Sequence, residues 1–273
     1  MTQSTNDAPP PQVIQTNPAI GERGGIHVYG ADPFTPRPYV LGIHGGGWSA
    51  GDQTAYGDGR LGPLVERLGF SLVLATYRLC PEFPFPCAYD DLVHLLAWLR
   101  DNGASRGLDP ERCVLFGASA GAHLAMLLAT RAMKENRPMP GIRGVVNYCG
   151  IMDLPAQYAA DNARGSKLVE NFLGGPPESR QELYRAGSPI CHIHALMPPV
   201  WMAHGTADIQ VPIAQSRAMA SALTAAGCDL SYLEARGLDH TMMEVGADGG
   251  DIEPHKLLFQ DDVRRFMNRV LSS

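Results

Sequence analysis

The chain has 273 residues, of which 45% are hydrophobic and 18% charged, and a net charge of −6. This balance excludes a disordered chain, which would lack the apolar surface to offset its ordering entropy, and the acidic charge without any run of five Lys or Arg excludes the basic footprint of a nucleic-acid binder. No stretch of about 18 apolar residues could span a bilayer. The opening MTQSTNDAPPPQVIQTNP also lacks a basic start followed by an apolar block. The expectation is a soluble, cytoplasmic protein with neither membrane nor nucleic-acid partners.

Residues 1–20 are polar and proline-rich without periodicity and are expected to form a flexible arm before one domain over 21–273. Pro38–Ile43 and Phe70–Tyr77 are short apolar runs, the mark of strands buried on both faces. Ala88–Arg100 has apolar residues at 88, 92, 95, 96 and 99, acids in its first turn and Arg100 in its last, which predicts an amphipathic helix with charges matched to its dipole. A strand over Arg112–Phe116, a helix over Ala120–Met133 and a strand over Val145–Cys149 continue the alternation. Residues 151–190 break it, being rich in Gly, Pro and polar residues, and read as a lid-like insertion with one helical piece at Lys167–Leu173. The rhythm resumes with a strand at Val200–Ala203, a helix at Ile213–Ala226, a strand at Leu230–Glu234 and a helix at Pro254–Leu271. Strands alternating with helices imply an α/β fold with a mostly parallel central sheet and helices on both faces.

Gly117-Ala118-Ser119-Ala120-Gly121 fits G-x-S-x-G at a strand-to-helix turn. So sharp a turn presses the residues two before and two after the serine together, and glycine at both places removes the Cβ atoms that would collide. The strain lifts the hydroxyl to the tip of the sheet. A serine there could also serve as a plain N-cap. Upstream, His44-Gly45-Gly46-Gly47-Trp48 follows a strand. Serial glycines let backbone N–H groups approach a developing oxyanion, so the oxyanion donors are assigned to the amides of Gly45, Gly46 and Ala120.

A serine hydroxyl needs a base, and the base an orienting acid. Behind an elbow of this kind both follow the serine in chain order, which sets aside His27, His44 and His94. His123, one helical turn beyond Ser119, reads as a hydrogen-bonded packing residue. His192 and His194 lack a third ligand at metal spacing, and His255 reads as a surface residue. His204 would fix the loop holding Asp208. His240 lies in a loop after a strand, where such sheets place catalytic groups. The triad is therefore Ser119, Asp208 and His240, with Asp239 a rival for the acid that adjoins its histidine too closely for good geometry. Trp48, Met152, Leu154, Phe172 and Met242 could line an apolar pocket or be ordinary core. The six cysteines lack C-x-x-C spacing; Cys80 and Cys87 are near enough to pair under oxidation.

His44-Gly-Gly-Gly-Trp48, Gly51-Asp52, Tyr77-Arg-Leu-Cys-Pro-Glu82 with Phe85-Pro86, Asp109-Pro110, the elbow, His204-Gly-Thr-Ala-Asp208 and Asp239-His240 together resemble the α/β-hydrolase superfamily over about residues 38–245. Within it the chain is similar to hormone-sensitive-lipase-like and feruloyl-esterase-like carboxylesterases. The resemblance implies an α/β-hydrolase fold and hydrolysis of carboxylic esters, short-chain or aryl, through an acyl-enzyme without cofactor or metal. An arylformamidase, amidase or peptidase of the same fold is the alternative, and a non-catalytic ligand-binding relative a more distant one. Two departures stand out: Ala118 replaces the acidic residue many relatives carry before the nucleophile, and only about 35 residues precede the first expected strand, which implies a more open pocket lidded mainly by 151–190.

Overall fold

The computed structural model describes residues 10–55, 65, 68–132, 135, 141–160, 163–242 and 253–272. Its centre is an eight-stranded sheet in the order β1-β2-β4-β3-β5-β6-β7-β8. These strands are β1 Gln12–Gln15, β2 Gly25–Tyr29, β3 Arg37–Ile43, β4 Ser71–Ala75, β5 Leu108–Ala118, β6 Ile142–Tyr148, β7 Val200–Gly205 and β8 Leu230–Ala235. β1 and β2 run antiparallel at one edge, and the pairings from β4 through β8 are parallel. The helices are α1 Cys87–Asn102, α2 Ala120–Leu127 prolonged by a wider turn over Leu128–Ala132, α3 Leu154–Ala159, α4 Ala163–Leu173, α5 Pro177–Gly187, α6 Ala214–Ala225 and α7 Glu253–Leu271.

The central strands are apolar on both faces because both are covered. Tyr39, Leu41, Ile43, Leu115, Val145 and Met202 point into a core shared with α1, α2, α4 and α6. Their neighbours Val40, Val114, Phe116, Val146 and Trp201 point the other way, against Val263, Phe266 and Met267 of α7. This period-two alternation fixes the register, since a slip by one residue would exchange the two cores.

Two expectations need correction, and one strand was not anticipated. Gln12–Gln15, inside the expected arm, pair with β2, and Pro18–Gly24 form a 3-10 segment; residues 1–9 lie outside the described residues. β2 itself was not anticipated, because a five-residue strand with only Ile26 and Val28 facing inward is specified mainly by its partner β4. The segment 151–190 holds three α-helices rather than one helical piece. The Asp153 side chain caps α3 through the N–H of Ala156 at 2.9 Å, and prolines open both α3 and α5. Met133, the expected end of α2, and the side chain of His255 lie outside the described residues.

Candidate active site

Ser119 stands between β5 and α2 with φ 54° and ψ −124°, a backbone conformation that costs a non-glycine residue about 1–3 kcal/mol. Its N–H donates to the carbonyl of Tyr148 at 2.9 Å and its own carbonyl accepts from the N–H of His123 at 2.9 Å, so neighbouring strand and helix together hold the strained turn. Its side chain makes no capping bond to α2 among the described residues, contrary to an N-cap role. A Cβ at Gly117 would overlap the backbone of Gly121. One at Gly121 would overlap the carbonyl of Ile43 and press on that of His44, so the second glycine serves the approach of β3 and the loop after it.

That loop follows an unusual path, with φ of 107° at Gly46 and 58° at both Gly47 and Trp48. A Cβ at Gly45 would lie 3.5 Å from that of Ser119, which brings this stretch of backbone against the serine. Ala120 is the first residue of α2, where an N–H has no intrahelical acceptor. His44 scaffolds the loop from below. Its Nδ1–H donates to the carbonyl of Gly45 at 2.8 Å, its Nε2 meets the Thr76 hydroxyl at 3.2 Å, and its ring stacks on Tyr77 at 4.3 Å. The Tyr77 hydroxyl donates to the His44 carbonyl at 3.0 Å. Gly51 fits here because a Cβ would lie 2.6 Å from His44 Nδ1.

Asp208 follows β7 and His240 follows β8. Asp208 Oδ2 lies 2.6 Å from His240 Nδ1 and 3.1 Å from His204 Nε2, while Oδ1 accepts the N–H groups of Gln210 at 2.8 Å and Val211 at 2.9 Å. His204 Nε2 also lies 2.9 Å from the Val211 carbonyl, which can only accept. The proton of His204 is therefore on Nε2, and its Nδ1 accepts from the Ser216 hydroxyl at 2.7 Å. Burial alone would raise the Asp208 carboxyl, but hydrogen bonds from His204, His240 and the Val211 amide overcome it and hold the group well below the usual carboxylate range. The Asp208 side chain is 0% exposed and that of His240 13%. Asp239 instead bonds the amide and hydroxyl of Thr241, each at 2.8 Å, and so shapes the loop beside His240. Gly205, quoted in the sequence only as part of His204-Gly-Thr-Ala-Asp208, lets the two loops meet: a Cβ there would overlap the carbonyls of Leu238 and Asp239.

His123 is fully buried, and its ring nitrogens bond Trp48 and the Gly187 carbonyl. Trp48, Met152, Leu154 and Phe172 are core residues. Met242 is half-buried, its sulfur 3.5 Å from that of Cys149. Cys149, His204 and Asp208 form a buried cluster within 4.8 Å; burial pushes the Cys149 thiol up to about 12, so it remains a protonated neighbour of the carboxylate. His192 and His194 serve separate local bonds, to the Ala186 carbonyl at 3.0 Å and from the Leu196 amide at 3.2 Å. All six cysteines are free thiols, Cys80 and Cys87 included. Among the described residues no helix is long and apolar enough to cross a membrane.

Burial lowers the imidazoles of His44 and His123 from 6.5 to about 4. An unfolded chain protonates both near 6.5 while the folded one keeps them neutral, so stability falls as the pH drops from 6.5 towards 4. These two groups are expected to make unfolding roughly 3–4 kcal/mol easier at pH 5 than at pH 7. Asp208 contributes its own loss only at lower pH, as its unfolded carboxyl begins to protonate. Urea melts at the two pH values check this, and a difference below about 1 kcal/mol would contradict it.

A mostly parallel sheet covered by helices on both faces, with a strained serine elbow after its fifth strand, makes this an α/β-hydrolase. The family model BD-FAE matches residues 29–223, and the chain belongs to that family. Esterase LipQ of Mycobacterium tuberculosis (strain ATCC 25618 / H37Rv) is 32% identical over 219 residues, covering 76% of this chain and 51% of LipQ. The probable carboxylic ester hydrolase LipM of the same strain is 29% identical over 188 residues, covering 66% and 43%. The chain thus spans about half the length of these curated relatives. Among solved structures, a truncated form of a carbohydrate esterase from gut microbiota matches with a TM-score of 0.82 at 18% identity, covering 100% of both chains.

Proposed function

We propose that the chain is a serine carboxylesterase acting on short-chain or aryl esters. The observations that carry this reading are the 2.6 Å contact between Asp208 and His240 in the loops after β7 and β8 and, after β5, an elbow that holds Ser119 in a strained, glycine-dependent turn. Because Asp208 stays ionised and accepts the Nδ1–H of His240, it leaves Nε2 free of a proton and able to act as base. Ser119 Oγ attacks the ester carbonyl carbon as His240 takes its proton, and the carbonyl oxygen becomes an oxyanion facing the amides of Gly45, Gly46 and Ala120. Collapse expels the alcohol, protonated by His240, and leaves an acyl-serine. A water deprotonated by the same imidazole then hydrolyses it, without cofactor or metal. Relatives named as esterases support the reaction class, and unpaired thiols suit a reducing cytoplasm.

A fluorophosphonate probe, with hydrolysis of p-nitrophenyl acetate compared against the matching anilide, tests the reading. Stoichiometric labelling of Ser119 and faster turnover of the ester are expected. Absence of labelling would overturn the serine mechanism, and faster anilide turnover would replace esterase by amidase.

A further inference from the structure

The loop Gly45–Trp48 presents a physical difficulty. Three consecutive glycines permit its path but do nothing to favour it, and Trp48 holds φ 58°, a conformation rarely adopted by a bulky side chain. His44 fixes the Gly45 carbonyl and the Cys80 N–H fixes the Trp48 carbonyl at 3.0 Å, but neither engages the indole, which needs an anchor of its own if the amides are to stay aimed. We propose that the buried imidazole of His123 is that anchor, a positioning residue that holds the oxyanion loop through the indole of Trp48 and ties it to the 151–190 insertion.

The contacts allow only one arrangement of protons. Trp48 Nε1–H can only donate, and lies 3.1 Å from His123 Nδ1. The carbonyl of Gly187, at the end of α5, can only accept, and lies 2.7 Å from His123 Nε2. The ring is thus neutral, with its proton on Nε2 and both nitrogens engaged. It meets the indole edge-on at 5.1 Å and the ring of Phe172 of α4 edge-on at 5.5 Å, while Phe172 stacks on the indole at 4.4 Å and 18°. Leu168 of α4 also lies against Gly47, where a Cβ would come within 2.9 Å of it. The backbone N–H of His123 holds the carbonyl of Ser119 at 2.9 Å. One buried residue therefore joins the turn bearing the nucleophile, the loop bearing the oxyanion donors and the insertion above them. A loop freed at Trp48 would still admit substrate, but its amides would no longer sit at the short distance that a developing oxyanion requires.

The inference rests on the reading of Ser119 as nucleophile, and three substitutions separate anchoring from packing. Trp48→Phe keeps an aromatic ring against Phe172 and removes only the N–H and part of the indole. His123→Gln places an amide near the Nε2 position and loses the acceptor at Nδ1. His123→Asn places its carbonyl oxygen at the Nδ1 position and keeps that acceptor. With p-nitrophenyl acetate, Trp48→Phe and His123→Gln are each expected to lower kcat about 10–100-fold, with KM within about twofold, since part of an oxyanion donor's effect is lost. The double variant should be no slower than the worse single one, and His123→Asn should recover kcat to within about fivefold. Affinity for a trifluoromethyl ketone, whose tetrahedral adduct carries the oxyanion, should weaken in parallel with kcat.

A Trp48→Phe variant that melts as a folded protein and keeps kcat within about twofold would overturn the inference, as would a loss confined to KM. Should His123→Gln fail to fold, Trp48→Phe and the ketone affinity still decide. If the native chain hydrolyses no ester, the functional reading itself fails. If the native chain is active, Ser119→Ala is not, and Trp48→Phe is unimpaired, only the anchoring role is lost.

Discussion

Ser119→Ala is expected to lower kcat for p-nitrophenyl acetate by roughly 10⁵–10⁶-fold while leaving the fold intact. Alanine takes the same positive φ at a similar cost, and the hydroxyl it removes makes no capping bond to α2. A thermal melt should therefore move by no more than a few degrees. The activity that survives should still exceed the uncatalysed rate by about 10³–10⁴-fold, because the amides of Gly45, Gly46 and Ala120 remain to polarise a carbonyl attacked by water. Removing His240 as well should cost almost nothing further, since an imidazole with no nucleophile to deprotonate has lost its task. A Ser119→Ala variant within tenfold of the native rate would overturn the assignment. So would a double variant much slower than either single one, which would mean that the two groups act separately.

The parallel half of the sheet was readable because burial on both faces leaves an unmistakable apolar run. Strands β3, β4 and β6 to β8 and helices α1, α6 and α7 fall close to their expected bounds, α2 begins where expected, and β5 starts four residues before its expected bound. The antiparallel edge was not, because Gln12–Gln15 has a single inward residue and owes its conformation to pairing with β2. In the insertion, start signals such as Asp153-Leu-Pro155 and Pro176-Pro177-Glu178 were present but read as loop among so many glycines and prolines.

At the site, motif order alone selected Ser119, Asp208 and His240, and the carboxylate contact between the last two bears on the rivalry with Asp239. Convergence in space was beyond the sequence. Nothing at Gly205 announces that the backbone of Leu238 and Asp239 will rest on it, and nothing at His123 announces that its partners lie 75 residues before it and 64 after it. Four of the five residues considered for a pocket turned out to pack against one another or the core, because large apolar side chains near a site look the same in sequence whether they line space or fill it.

Asp208→Asn should cost roughly 10⁴-fold in kcat, and the surrounding hydrogen bonds dictate how. Oδ1 accepts two backbone N–H groups, from Gln210 and Val211, so the carbonyl oxygen of the asparagine must take that side. Its NH₂ then replaces Oδ2, facing the Nε2–H of His204 and the Nδ1 of His240. It can donate to His240 only if Nδ1 gives up its proton, which moves the proton to Nε2 and leaves that nitrogen unable to accept from Ser119. Against His204 it sets donor facing donor, because the Val211 carbonyl holds the His204 proton on Nε2. The variant should therefore lose activity through the wrong tautomer of His240, and lose stability by about 1–3 kcal/mol through the opposed donors. The ¹⁵N resonances of His240 distinguish the tautomers directly: Nε2 should change from the unprotonated to the protonated type as kcat falls. Full activity, or a fall in activity with the native tautomer retained, would remove Asp208 from the role of orienting acid.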